Sequence, residues 1–564
     1  MYSNKENVNI LTSLLVANGV CHAVVCPGSR NAPIVHNLNE VGSISCHPVT
    51  DERSAGFYAV GLAQATGQPV VVCVTSGSAL LNVAPAVAEA SYQHIPLVVV
   101  SADRPQQWIG QLDGQTLPQQ GAFGPLVRRS VQLPEPHCGE ERWMCRRLVN
   151  EALLLATCKG GAPVHINVPI TEPLFTFDVE RLPEEQALRL HRPQSIDTPD
   201  SLLPGFMAAK RPMIVFGQLP DRVVSGSTIR QLIGNYVVIA EPLSNSSYTI
   251  VHGNEAVRLL SSSSAEGNVL PCSVDDFAPD YVLYVGDTVV SKNVRRYLRG
   301  LQVPSCLLTA DAGEVHDPLM SLADIVECPY GQFDTLLASL CGLKVHTPFY
   351  DRWQWLLHAC SERVDGYEPP FSQIAAVKYF ESQLDDLDIS LDVHYANSSA
   401  IRLANIYASH RVWCNRGVNG IEGSLSTAAG FSLASDGMVV CVIGDLSFFY
   451  DQNALWNNGL RGNLRIILLN NRCGGIFSSL PGLGSSPAAR EMVAAAHSTD
   501  ARGICTQNDI GYLKATTMDE MQIGVVTLLT QQSERPMLLE VFTDAADDTA
   551  AMKSFENLFT NIEK

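Results

Sequence analysis

The stretch MVVCVIGDLSFFYDQNALWNNGLRGNLRIILLNNRCGGIF holds the residues best spaced for chemistry. Asp445 closes an apolar run at a Gly-Asp turn, Ser447 opens the helix expected next, and Asn471 closes the following apolar run. One strand–helix–strand step brings neighbouring strand ends together, and with them a carboxylate and an amide oxygen. Hard oxygens of this kind suit Mg²⁺, whose octahedron is completed by phosphate oxygens or water. Amides at the helix start, near Leu446 and Ser447, would face a diphosphate. An Asp at a strand end is also a common helix cap, so this feature alone leaves both readings open. Glu52 in VTDERSAGF likewise stands between a strand and a helix, where an acid also stabilises the helix N-terminus. Arg30 (PGSR), Arg104 (ADRP), Arg402 (NSSAIR) and Arg416 (NRG) fall at or just after strand ends or helix starts. Guanidinium forks bind carboxylates bidentately. Any one of them reads equally well as an ordinary ion pair; four at loop ends of an acidic chain do not.

These residues need parallel sheets to carry them. In the first third, HAVVCPGSR, ISCHPVTDER, PVVVCVTSG and IPLVVVSADRP read as strands, with SAGFYAVGLAQATG and ALLNVAPAVAEASYQ as helices between them. Continuous Val/Ile/Leu runs separated by helical stretches predict a parallel sheet covered on both faces. The block closes near APVHINVPITEP, and a polar, proline-containing stretch over 180–200 reads as a linker. A second unit follows, with RPMIVFGQLP, NYVVIAEP, DYVLYVGD, SCLLTAD and ADIVECP as strands. The pattern changes again over 342–372, and the last third resumes through HRVWCNRG, MVVCVIGD, LRIILLNN and RPMLLEVFTD. The expected fold is α/β with three domains, 1–185, 186–360 and 361–564, each a mainly parallel sheet flanked by helices. The first and last thirds share a rhythm that hints at two related domains. Ligands of such sheets bind beyond the carboxyl ends of the strands, where the residues above fall.

Composition narrows the function. A chain of 564 residues exceeds one core, and 46% hydrophobic with 17% charged residues is globular. A net charge of −19 argues against nucleic-acid or anionic-membrane binding. The sixteen cysteines form no CxxC or zinc pattern, and many lie in apolar runs, as Cys73, Cys306 and Cys441 do. They read as small buried hydrophobes in a reducing compartment. The N-terminus lacks signal-peptide features and no apolar run reaches membrane-spanning length, so a cytoplasmic protein is expected. No GxGxxG follows a strand in the middle unit, so no flavin or nicotinamide is expected.

GD(x)S followed by NN after a strand resembles the metal and diphosphate motif of thiamine-diphosphate enzymes, with Leu446 where most have glycine. The resemblance implies that Asp445, Asn471 and the Cys473 carbonyl bind Mg²⁺ (or Mn²⁺), and that Gly444, Leu446, Ser447 and Asn471 meet the cofactor. It makes Glu52 the catalytic carboxylate that hydrogen-bonds the aminopyrimidine N1′. The two motifs meet across a subunit interface in that superfamily, which implies at least a homodimer.

The flanking segments CPGSRNAP, TDER, TSGSALLN, SADRP, NSSAIR, NRGVNGIEGSLSTAAG and IGDLSFFYDQNAL closely resemble 2-succinyl-5-enolpyruvyl-6-hydroxy-3-cyclohexene-1-carboxylate synthases of menaquinone biosynthesis. The match is densest over 20–125 and 395–480. It implies that 2-oxoglutarate is decarboxylated and its succinyl-carbanion equivalent added to isochorismate. It also implies substrate contacts from Ser29, Arg30, Arg104, Gln115, Lys292, Ser398, Arg402, Arg416, Ile476 and Phe477. Ser76, Gly77 and Ser78 should approach the pyrimidine, and Ile421 should wedge between the cofactor rings, unless it is a core residue. Asn293 stands beside Lys292 where some members have arginine; Arg295 or Arg296 compensates, or a contact is missing. The rivals are an acetohydroxyacid-synthase-like carboligase or decarboxylase, whose substrates carry fewer carboxylates, and a non-catalytic protein on the same fold.

Overall fold

The computed structural model describes residues 1–190, 199–244, 252–263, 270, 272–313, 315–341, 347–384, 387, 389–480 and 482–560. Parts of the expected linker (191–198) and of the second change (342–346) lie outside the described residues.

The Val/Ile/Leu runs form three wholly parallel sheets. The first contains β1 (His22–Val25), β2 (Ser45–Pro48), β3 (Val70–Val74), β4 (Leu97–Asp103), β5 (Arg129–Gln132) and β6 (Val164–Pro169). The second contains β7 (Pro212–Phe216), β8 (Val237–Ala240), β9 (Tyr281–Val285), β10 (Ser305–Thr309) and β11 (Leu322–Glu327). The third contains β12 (Leu391–Tyr395), β13 (Val412–Trp413), β14 (Met438–Gly444), β15 (Leu464–Asn470), β16 (Gly511–Ala515) and β17 (Met537–Phe542). The strand orders are β2-β1-β3-β4-β6-β5, β11-β10-β9-β7-β8 and β13-β12-β14-β15-β17-β16. Counted from its own first strand, the third sheet repeats the order of the first, so the shared rhythm of the two thirds is a shared topology.

Buried strands alternate their faces between two cores. Val439, Cys441 and Ile443 of β14 join a core shared with β3 and the helix Glu52–Thr66, while Val440 and Val442 join the core reaching the middle sheet. The helix Glu52–Thr66 lies against Ser424–Ala434 at a distance only glycine permits. A Cβ on Gly61 would stand 2.0 Å from the Thr427 carbonyl oxygen, and one on Gly430 2.2 Å from that of Tyr58.

One sequence expectation changes. The single helix expected over ALLNVAPAVAEASYQ is two, Ser78–Asn82 and Ala84–Tyr92, because Pro85 cannot donate to a preceding turn and instead starts the second. The helix Pro348–Gly366 runs through the expected 360/361 division. Its Trp353 Nε1 donates to the Phe277 carbonyl (2.9 Å), so we propose that the middle domain extends to 366. All sixteen cysteines are free, and Cys73, Cys306 and Cys441 are buried.

Candidate active site

A cavity of about 530 Å³ opens at the carboxyl ends of β12–β15 and extends to the middle unit. Each wall is a strand-end loop. β12 leads into Ser398 and the helix Ser399–Tyr407 with Arg402; β13 into Arg416; β14 into Gly444–Ser447; β15 into Asn471–Phe477. Lys292 and Arg295 enter from the first turn of the helix Lys292–Leu301. The cavity thus gathers Lys292, Ser398, Arg402, Arg416, Ile421, Gly444, Asp445, Leu446, Ser447, Asn471, Cys473, Ile476 and Phe477. Ile421 is 41% exposed at its edge and so is not packed in this chain's own core.

The oxygen pair is built by the backbone. Arg472 has φ 65°, a strained value for a non-glycine residue, and this turns the following amide back toward β14. The Cys473 amide then donates to Asp445 Oδ2 (3.2 Å) and Asn471 Oδ1 (3.4 Å), so both oxygens lie within reach of one N–H. Asp445 is buried, which raises its carboxyl above the usual range; its Oδ1 accepts from the Leu446 amide (2.7 Å). Asp548 fixes the amide orientation of Asn471 by accepting from Nδ2 (2.9 Å), and itself also accepts from Gln373 N and Thr543 Oγ1 (both 2.8 Å). His497 Nδ1 accepts from the Thr499 amide, leaving Nε2 to face Asp445 Oδ2 at 3.3 Å.

The cations of the cavity are held without being neutralised. Among the described residues, no ion pair joins Lys292, Arg295, Arg402 or Arg416 to a carboxylate. Burial, and then the neighbouring Arg416, lowers the Arg402 guanidinium below its ordinary value. Arg416 Nη1 donates to Asn397 Oδ1 (3.1 Å), and Glu89 accepts from the next two amides, Gly417 (2.7 Å) and Val418 (2.8 Å). Asn293 turns away and donates to Asn254 Oδ1 (3.2 Å).

The eight expected residues of the first third lie elsewhere, at the ends of the adjacent strands β2, β1, β3 and β4. Glu52 opens its helix behind the cap Asp51 and accepts from Asn82 Nδ2 (3.2 Å). Ser76, Gly77 and Ser78 follow β3; Gly77 has φ 83° and a Cβ there would stand 3.1 Å from the Gln115 backbone. Ser29 and Gln115 are exposed. Arg30 is buried, donating to the Ile170 carbonyl (2.9 Å) and pairing with Glu172 (3.0 Å). Arg104 donates to the Gly114 carbonyl and lies 3.5 Å from Asp113. These two arginines have internal carboxylate partners, unlike those of the cavity among the described residues.

Sequence reasoning missed Asp548, Asn397, Glu89, Gln373 and His497. Asn397 opens the quoted NSSAIR segment but was not singled out; the other four stand in no local pattern and meet their partners only through the fold.

Residues 6–125 match the family described as thiamine pyrophosphate enzyme, N-terminal TPP binding domain. Along its whole length the chain is 42% identical to the whole of the 2-succinyl-5-enolpyruvyl-6-hydroxy-3-cyclohexene-1-carboxylate synthase of Bacteroides fragilis. It is 40% identical to that of Phocaeicola vulgatus, covering 98% of each chain, and 34% identical to that of Flavobacterium psychrophilum, covering 96% of each. No helix among the described residues is long and apolar enough to cross a membrane. With full-length identity at this level, the chain belongs to the 2-succinyl-5-enolpyruvyl-6-hydroxy-3-cyclohexene-1-carboxylate synthase family of thiamine pyrophosphate enzymes.

Proposed function

We propose that the chain decarboxylates 2-oxoglutarate and joins the four-carbon remainder to isochorismate by 1,4-addition, releasing CO₂. The carrying observation is a cavity in which Lys292, Arg295, Arg402 and Arg416 form no ion pair with a carboxylate among the described residues and stand beside the paired oxygens of Asp445 and Asn471. Two dicarboxylic substrates call for such a set; a monocarboxylic 2-oxo acid does not.

Thiamine diphosphate, when bound, supplies the carbon nucleophile and electron sink that 2-oxo acid decarboxylation needs. The donor set fits its diphosphate and a small hard cation: one buried carboxylate, one amide oxygen locked by Asp548, and a loop turned at Arg472. Asp445, Asn471 and the Cys473 carbonyl would hold Mg²⁺ or Mn²⁺. Gly444, Leu446 and Ser447 would meet the diphosphate and Ile421 the ring system. Glu52 would hold a proton at its carboxylate against the aminopyrimidine, with Ser76, Gly77 and Ser78 alongside. Lys292, Arg402 and Arg416 bind substrate carboxylates, and Arg295, which lines the cavity as Arg296 does not, takes the place left by Asn293. Ser29, Arg30, Arg104, Gln115, Ser398, Ile476 and Phe477 complete the substrate surroundings. Since the residues of the first third do not line this cavity, a second copy of the chain would supply them, making the working unit at least a homodimer. A cytoplasmic location accords with sixteen free cysteines.

The test is mass spectrometry of a reaction containing thiamine diphosphate, Mg²⁺, 2-oxoglutarate and isochorismate, each omitted in turn. The expected product equals the two acids minus CO₂ and is absent from every omission. CO₂ release without the adduct reassigns the acceptor; no reaction by folded, cofactor-saturated protein refutes the proposal.

A further inference from the structure

Glu241 follows β8 and is 4% exposed, yet it belongs to none of the motifs above. Its carboxylate reaches across the middle unit to the segment that precedes Lys292. Oε2 accepts from the Val290 amide (2.5 Å) and Oε1 from the Ser291 amide (2.8 Å). These are the last two residues before the helix Lys292–Leu301, and Ser291 is its cap, accepting from the Val294 amide (3.1 Å). From the other side, Ser291 Oγ donates to Asn254 Oδ1 (2.7 Å). The acid also faces the third unit, where Asn405 Nδ2 approaches to 3.5 Å and the Arg416 guanidinium acts on it electrostatically. An apolar residue here would leave two buried amides without an acceptor, and an amide side chain could serve only one of them.

We propose that Glu241 is a positioning residue for substrate binding: one buried carboxylate that fixes the backbone carrying Lys292 and Arg295 and ties it to the Arg416 side of the same cavity. The role rests on the functional reading above, since it needs Lys292 to bind a substrate carboxylate. Burial raises the Glu241 carboxyl to about 7, against the opposing pull of the two amides, Arg416 and Asn405. Tyr284 is the other titratable group in its field. Protonation near neutrality removes an acceptor from one amide and loosens the loop, so substrate binding weakens as pH falls from 8 to 6.

The experiment is steady-state kinetics of the wild type, Glu241→Gln, Lys292→Ala and the double variant with both acids across pH 6–8. Calorimetric affinity for thiamine diphosphate with Mg²⁺ is measured alongside. Loss of a hydrogen bond to a charged group predicts roughly a tenfold higher KM for one of the two acids in Glu241→Gln, with kcat much less affected. Cofactor affinity should not move. Lys292→Ala should raise the same KM, and the double variant should raise it by less than the product of the two single effects, since Glu241 then acts through Arg295 alone. The wild-type rise in KM on acidification should vanish in Glu241→Gln. Multiplying effects of the two substitutions, or kcat and cofactor affinity falling with KM, would overturn the positioning role. So would a wild-type KM that is flat from pH 8 to 6, a result that requires no variant to fold. Adduct formation by the wild type is scored separately: its absence overturns the functional reading, whereas its presence with multiplying effects overturns only the role of Glu241.

Discussion

Replacing Asp548 with asparagine should damage the metal site without touching a metal ligand. Asp548 Oδ1 accepts from the Gln373 amide at 2.8 Å, and Oδ2 accepts from Asn471 Nδ2 at 2.9 Å and Thr543 Oγ1 at 2.8 Å. Asparagine has one acceptor oxygen where aspartate has two. If that oxygen serves the Gln373 amide, which cannot turn away, the new NH₂ faces the NH₂ of Asn471. Asn471 must then rotate its amide and withdraw Oδ1 from Asp445. If the oxygen serves Asn471 instead, the new NH₂ opposes the Gln373 N–H, and a buried donor is left unpaired. The structure favours the first outcome because Thr543 can rotate its hydroxyl to accept. The loss of one hydrogen bond to a charged group is about 1.5–3 kcal/mol. If it falls on cofactor binding, the affinity for thiamine diphosphate with Mg²⁺ drops roughly 10- to 150-fold. Isothermal calorimetry at saturating Mg²⁺ measures this directly, and raising Mg²⁺ should recover part of the loss. Asp548→Asn protein that is folded and binds the cofactor with wild-type affinity would refute the orienting role.

Glu52→Gln should leave the thermal unfolding midpoint and cofactor affinity near wild type while turnover falls by about 10²–10⁴, the usual contribution of proton transfer; wild-type kcat in the omission assay would refute its assignment. Asp445→Asn should weaken metal-dependent cofactor binding, and calorimetry showing unchanged affinity would count against the metal assignment. Gly430→Ala places a methyl group 2.2 Å from the Tyr58 carbonyl oxygen in the packed helix pair, so unfolding in denaturant should show a loss of about 1–3 kcal/mol. A midpoint equal to that of the wild type would show that the helices separate easily.

Much of the fold was legible because the central strands are unbroken apolar runs, and the motif residues lie at their ends. β14 (Met438–Gly444) and β15 (Leu464–Asn470) are almost purely aliphatic, and Asp445 and Asn471 follow them at once. β12 was not legible although it is central, because Leu391–Tyr395 carries Asp392 and His394. The fold accommodates both: Asp392 accepts from Trp413 Nε1, and the buried His394 ring packs edge-on against Phe431 at 4.8 Å. The edge strands β5 and β16 were missed for a different reason, being short and polar. At the site, side chains that face the cavity came from local motifs, whereas most of those that hold them did not. Asp548 stands 77 positions from Asn471, and Glu89 stands 328 from Gly417. Only a folded chain reveals such pairs.

Glu89 and Glu241 solve one electrostatic problem in the same way. An acidic protein that must keep cations free for anionic substrates risks neutralising them with its own carboxylates. Arg30 and Arg104, which lie outside the cavity, have such partners in Glu172 and Asp113. In the cavity the acids are placed behind the loops instead. Glu89 accepts from the Gly417 and Val418 amides beyond Arg416, and Glu241 accepts from the Val290 and Ser291 amides ahead of Lys292. Both are buried, and burial raises both carboxyls. Each thus fixes a loop through its backbone, while the ammonium or guanidinium it presents keeps its charge for a ligand. Shortening either glutamate to aspartate would retain the charge but retract it by one methylene from its two amides. Loop geometry, rather than net charge, is therefore what these two acids contribute to the site.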